Sequence, residues 1–171
     1  MKPRDEQKTN AIFKATLKLV EEKGLAGITI NEIATRAGLA TGTVYIYFES
    51  KDKLVNELYV ACRKASAAVY FKNYNPAQPF QTGFKTIWRN LVNYRIKNFK
   101  EAIFLEQCYH SPFITETARE MTKKLFQPLY SLMETGKKIV TLGKGKYRIS
   151  PEGDKYLRIL TGSISVQEDQ A

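Results

Sequence analysis

The 171 residues suffice for a sizeable core in one or two small domains, and 43% hydrophobic content is ordinary for a soluble globular chain. No apolar run reaches the ~18–20 residues of a membrane span, and the charged start at residues 1–6 is no signal peptide, so a cytoplasmic protein without a membrane partner is expected. Cys62 and Cys108 stand far apart, form no metal or redox motif, and are expected as buried thiols. The net charge of +10 is unevenly spread: residues 1–50 hold seven Lys/Arg against six Asp/Glu, and residues 51–171 hold twenty against eleven. That excess is compatible with attraction to phosphates and equally with plain solubility.

In chain order, residues 5–23 predict a helix. Ile12, Ala15 and Leu19, flanked by Phe13, Leu17 and Val20, give it a wide apolar face, and Gly24 is placed to stop it. A second helix carries Ile30, Ile33, Ala34 and Ala37 at spacings of three, one and three, with Gly38 where a positive φ often ends a helix. Thr41 is expected to cap a short third helix, in which Thr43, Tyr45 and Tyr47 lie among Val44, Ile46 and Phe48. Val44 and Phe48 share a face and are assigned to the core. A helix, a turn containing glycine and a short polar-aromatic helix make the pattern of a helix-turn-helix, whose second helix enters the DNA major groove.

A fourth helix should start at Ser50 and run towards residue 70 with a stripe of Leu54, Leu58, Ala61 and Ala65. Turn formers and two prolines at 73–79 mark the clearest break. A long helix over 80–98 follows, with Phe84, Ile87, Leu91 and Tyr94 on one face and Trp88, Val92 and Phe99 beside it. A shorter helix over 101–109 precedes one over 114–135, which Pro128 should kink. Ala118, Met121, Leu125, Leu129 and Leu132 line its face. The basic loop 143–146 resembles a phosphate loop only superficially, since the long glycine spacing and the Lys-Ser/Thr ending are missing. Alternation over 139–149 leaves a small hairpin open as an alternative. Ser150 and Pro151 signal a last helix to about residue 167. The expected fold class is all-α.

From residue 9 to 54 the sequence resembles the DNA-binding domain of the TetR family of transcriptional regulators. The resemblance is carried by the helix 11–20 with Gly24 after it, by the turn at 25–30, by 43–48 as recognition helix, and by 50–54 as the start of the fourth helix. It implies an N-terminal three-helix DNA-binding domain over 1–50 and a C-terminal helical ligand-binding and dimerisation bundle over 51–171. It also implies that Tyr45 and Tyr47 contact DNA backbone and base edges, that Thr43 sits near the bases, and that Lys51 meets a phosphate. Thr29 matches the family's capping threonine, with a phosphate contact as a further role.

The residues themselves make Thr41, Gly42, Thr43, Tyr45 and Tyr47 the recognition candidates. Hydroxyls bond bases or phosphates, a Thr methyl packs on a thymine methyl, and Gly42 lets the backbone approach closely. Core packing of one tyrosine is the alternative. Lys2 and Arg4 read either as a minor-groove arm or as an ordinary tail. Sixteen of the twenty aromatic residues lie after residue 50. Phe84, Trp88, Tyr94, Phe104, Tyr109 and His110 are the pocket candidates, with Arg95 and Arg89 for an anionic group; the competing readings are core packing for the aromatics, solvated side chains for the arginines and a helix-end cap or hydrogen bond for His110.

Catalysis finds no support, because one histidine and two separated cysteines provide no nucleophile–base pair and no zinc set. No cofactor or metal is expected. The expected function is a homodimeric, effector-released repressor on a near-palindromic double-stranded DNA operator. The alternative is a helical small-molecule-binding or protein-interaction module that does not bind an operator.

Overall fold

The structure, a computed structural model, describes residues 5–109 and 111–142, with side chains described to residue 136. The described residues are all-helical. Helix α1 (Glu6–Lys23) is capped by Asp5, whose carboxylate accepts from the Gln7 and Lys8 amides at 3.0 and 3.4 Å. Gly24, at φ 75°, ends it. Helix α2 (Ile30–Ala37) opens on a capping box: Thr29 Oγ accepts from the Glu32 amide, and the Glu32 carboxylate accepts from the Thr29 amide. Gly38 closes it in the left-handed region at φ 68°, where a side chain would be strained.

Helix α3 (Thr41–Tyr47) corrects one expectation. Ala40 holds the extended cap position and no side chain caps the helix, so Thr41 is its first residue instead. Helix α4 (Lys51–Tyr70) follows Ser50, which accepts from the Lys53 amide at 3.2 Å. Its buried stripe runs through Leu54, Leu58, Cys62, Ser66 and Tyr70. The expected Ala61 and Ala65 rotate outward, half-buried and exposed.

Helices α5 (Phe80–Lys97) and α6 (Phe99–Cys108) turn about Asn98. The single kinked helix expected over 114–135 is instead two, α7 (Glu116–Leu125) and α8 (Gln127–Leu142), broken at Phe126. Pro128 has no N–H to donate to the carbonyl of Lys124 and its ring crowds it, so the chain restarts rather than bends. Residues 139–142 are helical, which removes the start of the possible hairpin. The readings on Lys2, Arg4, His110, the loop 143–146 and the helix 150–167 fall outside the described residues.

Two hydrophobic clusters organise the packing. The first joins α1 to α4 with Phe104, Leu105 and Cys108 of α6 and with Ile114 and Ala118. The second joins Ala67 and Tyr70 of α4 to Ile87 and Leu91 of α5, Phe126, and Leu129 and Leu132 of α8. Helix α4 thus serves both, and at its middle the buried Arg63 guanidinium lies 5.3 Å from the Tyr59 ring and 5.5 Å from that of Phe126. Helices α5 and α8 approach closely at Gly136, where a Cβ would come within 2.6 Å of the Phe80 ring.

Candidate DNA-binding face

Helix α3 is short, and two side chains fix its orientation. Val44 and Phe48 are fully buried, and the Phe48 ring lies 5.7 Å from that of Phe13 on α1. With these two inward at a four-residue spacing, residues two positions away must point out. Tyr45 is 51% exposed and Ile46 83%. Gly42 is exposed, and a Cβ there would meet nothing within 4 Å. The protein's own packing does not demand that glycine.

The other recognition candidates are less exposed. Thr41 and Thr43 are half-buried, and Tyr47 is half-buried against the first core cluster. Tyr47 therefore combines the two readings its sequence position left open: its ring packs inward and only part of it reaches the surface. Ile46 was missed as a candidate. The signal was present, since a helical period that buries Val44 and Phe48 exposes residue 46. An exposed isoleucine there can cover a thymine methyl.

Thr29 is exposed, and its hydroxyl donates to the Glu32 carboxylate at 2.9 Å. Glu32 also accepts from Lys23, and these partners bring its pKa down to about 2. The Arg36 guanidinium makes a two-pronged pair with Glu22 at 2.9 and 2.8 Å, which lowers the Glu22 carboxyl pKa. Four charges of α1 and α2 are thus matched within the protein. Lys51, the first residue of α4, donates to the Ala26 carbonyl at 3.1 Å and lies 5.1 Å from the Phe113 ring. Partial burial lowers its pKa. Its ammonium ties the loop before Thr29 to the segment between α6 and α7.

The ligand candidates do not converge. Phe84 and Trp88 stack nearly parallel on α5, 6.0 Å apart, with Phe80 beyond them and Trp88 39% exposed. Tyr94 is half-buried, donates to Glu101 at 2.5 Å and meets the Tyr70 ring edge-on. Arg95 pairs with Glu106 at 3.1 Å. Phe104 is fully buried in the first cluster, away from the α5 stack. Tyr109 is half-buried, and its carbonyl accepts from Arg119. Among the described residues no group of His, Cys, Asp or Glu is arranged to hold a metal, and no helix is long and apolar enough to cross a membrane.

The sequence model described as "Bacterial regulatory proteins, tetR family" matches residues 12–58, the segment that carries α1 to α3 and the start of α4. Residues 12–58 thus match the DNA-binding segment of the tetR family, and the comparisons together support a regulator of that kind. That family is one of transcription regulators, not of enzymes. The tetR-type chain is 30% identical over 80 residues to an uncharacterized HTH-type transcriptional regulator of Haemophilus influenzae, covering 47% of this chain and 43% of that protein. It is 29% identical over 99 residues to the HTH-type transcriptional regulator EthR of Mycobacterium tuberculosis, covering 57% and 44%. The matched region spans less than half the length of these curated relatives. A TetR family regulator structure from Marinobacter aquaeolei VT8 superposes with TM-score 0.73 at 22% identity, over 98% of this chain and 91% of that one. One from Shewanella sp. PV-4, described as a putative tetR family regulator, gives 0.70 at 21%, over 90% and 81%. At those identities the likeness is one of fold.

Proposed function

We propose that the protein is a cytoplasmic, homodimeric repressor that reads a near-palindromic DNA operator through α3. The observation that carries this reading is a helix anchored by Val44 and Phe48 that presents Gly42, Tyr45 and Ile46 to solvent inside the segment matching the family. Tyr45 would bond a phosphate or base edge, Ile46 would pack on a thymine methyl, and Thr41, Thr43 and the Tyr47 hydroxyl would bond the backbone or bases. Thr29 and Lys51 would hold phosphates on either side, Lys51 by leaving the Phe113 ring. Two copies would set two α3 helices one helical turn of DNA apart.

Residues 1–50 are proposed as the reader and 51–171 as the dimerisation and effector region. A small hydrophobic or amphipathic effector that prefers the state with misplaced α3 helices would release DNA by population shift. The shared first core supports that coupling, because α6 residues sit in the reader's own interior.

Footprinting on the DNA upstream of the protein's own gene tests this reading. The expected result is a protected, near-palindromic site at low salt, weakened by Tyr45→Phe without loss of melting temperature. No specific protection there would sink the operator reading.

A further inference from the structure

A cleft of about 680 Å3 opens between α1, α4 and α7, within the ~300–1,000 Å3 of small-molecule sites. Thr9 and Phe13 of α1, Val60 and Ala61 of α4, Phe113 and Met121 line it. None of them lies on the α3 face or in the aromatic stack of α5. Most of its exposed lining is apolar, though polar and charged side chains of α4 and α7 border it, and one polar group stands out. The Thr9 hydroxyl is buried and has no hydrogen-bond partner among the described residues. A buried hydroxyl without a partner costs stability, and a turn of the Thr9 side chain toward the cleft would let a ligand group bond it and remove that cost.

The charges around the cleft balance. Lys53 and Lys64 stand against Asp52 and Glu57, all on α4. Neither an anion nor a cation gains from that arrangement. We propose that this cleft binds an uncharged, mostly apolar small molecule carrying one hydrogen-bonding group that meets Thr9 Oγ.

Such a ligand touches two levers at once. The Phe13 ring supports Phe48, which ends α3. The Phe113 ring faces the Lys51 ammonium, and the Phe113 carbonyl accepts from the Asn56 side chain, which also accepts from the Thr115 amide at 3.0 Å. Displacing either ring moves a group in the proposed DNA face. Binding does not depend on the DNA reading; its consequence for DNA rests on it.

The test is a fluorescence titration of the full chain with N-phenyl-1-naphthylamine, an uncharged aromatic amine. The wild-type chain is expected to bind it saturably. Met121→Trp, whose indole takes up the cleft, should weaken binding about tenfold or more. Thr9→Val, nearly isosteric, should weaken it about three- to tenfold through one lost hydrogen bond. Circular dichroism confirms folding, and if Met121→Trp does not fold, Thr9→Val carries the test. No saturable binding, wild-type affinity in every folded variant of the pair, or loss of binding in Trp88→Ala overturns the cleft. A chain that binds the probe as expected yet leaves no footprint upholds the cleft and overturns the DNA reading. One that footprints but binds no probe does the reverse.

Discussion

The two cores of this molecule differ in how much aromatic surface they hold. The first is made largely of Ile, Leu, Val and Ala, with Phe48 and Phe104 as its fully buried rings. The second buries Tyr70 and Phe126 among Ala67, Ile87, Leu91, Leu129 and Leu132, and Phe71, Tyr74, Phe80, Phe84, Tyr94 and Tyr130 lie partly covered around them. Branched aliphatic side chains have few rotamers and interlock, so the first core fixes the orientation of α3 closely. Rings meeting at 5.6 to 6.4 Å, several edge-on, keep favourable contact over a range of offsets. The contrast suits a rigid reading element coupled to a more adaptable one, and it can be broken or sharpened by substitution.

The largest expected effect is that of Phe104→Ala. This α6 residue is buried in the first core, and its truncation should cost about 3–5 kcal/mol. Chemical denaturation followed by hydrogen exchange should show α1 to α3 losing protection together with α6. Protection retained in α1 to α3 would mean that the reader does not depend on α6. Next comes Asn56→Leu, which strips partners from the Phe113 carbonyl and the Thr115 amide. A loss of about 1–3 kcal/mol is expected, with faster exchange at Thr115. Exchange unchanged there would remove Asn56 as the tie between α4 and the segment that leads into α7.

Ile46→Ala should leave stability within about 0.5 kcal/mol, as for an exposed position, while weakening operator binding by about 1–2 kcal/mol through lost methyl contact. Equal gel shifts from both chains would take Ile46 off the DNA face. The smallest effect concerns acid. Glu32 has its pKa lowered from 4.5 to about 2 by Lys23 and Thr29. A depressed carboxylate pKa contributes stability above the unfolded value, lost as pH falls through the folded one. Glu32→Gln should therefore flatten the fall in melting temperature between pH 4.5 and about 2. Identical acid limbs would assign that fall to other carboxylates.

The helix ends were legible because capping is local. Thr29, Gly38 and Ser50 each act within a few residues of where they stand. Ala40 displaced Thr41 as a cap because the chain's entry angle, not the hydroxyl, decides which residue stays extended. The reading face was mostly legible too, yet Ile46 was passed over as apolar when its position relative to Val44 put it outside. What the sequence could not show was partnership at a distance. Phe104 reads as one more aromatic in a ring-rich half, and only the folding back of α6 onto α1 places it in the reader's interior. The same folding scatters the pocket candidates, since side chains close in sequence on α5 and α6 face different cores.

Helix α4 has a mechanical consequence. Its 20 residues make a rod about 30 Å long, at ~1.5 Å per residue. Its far end is set among rings and its near end among branched aliphatics. A tilt of roughly 6° about the ring end carries Lys51 sideways by about 3 Å, the length of one hydrogen bond. Displacements too small to disturb the aromatic packing thus arrive at the other end magnified to the scale on which groove contacts are made or missed.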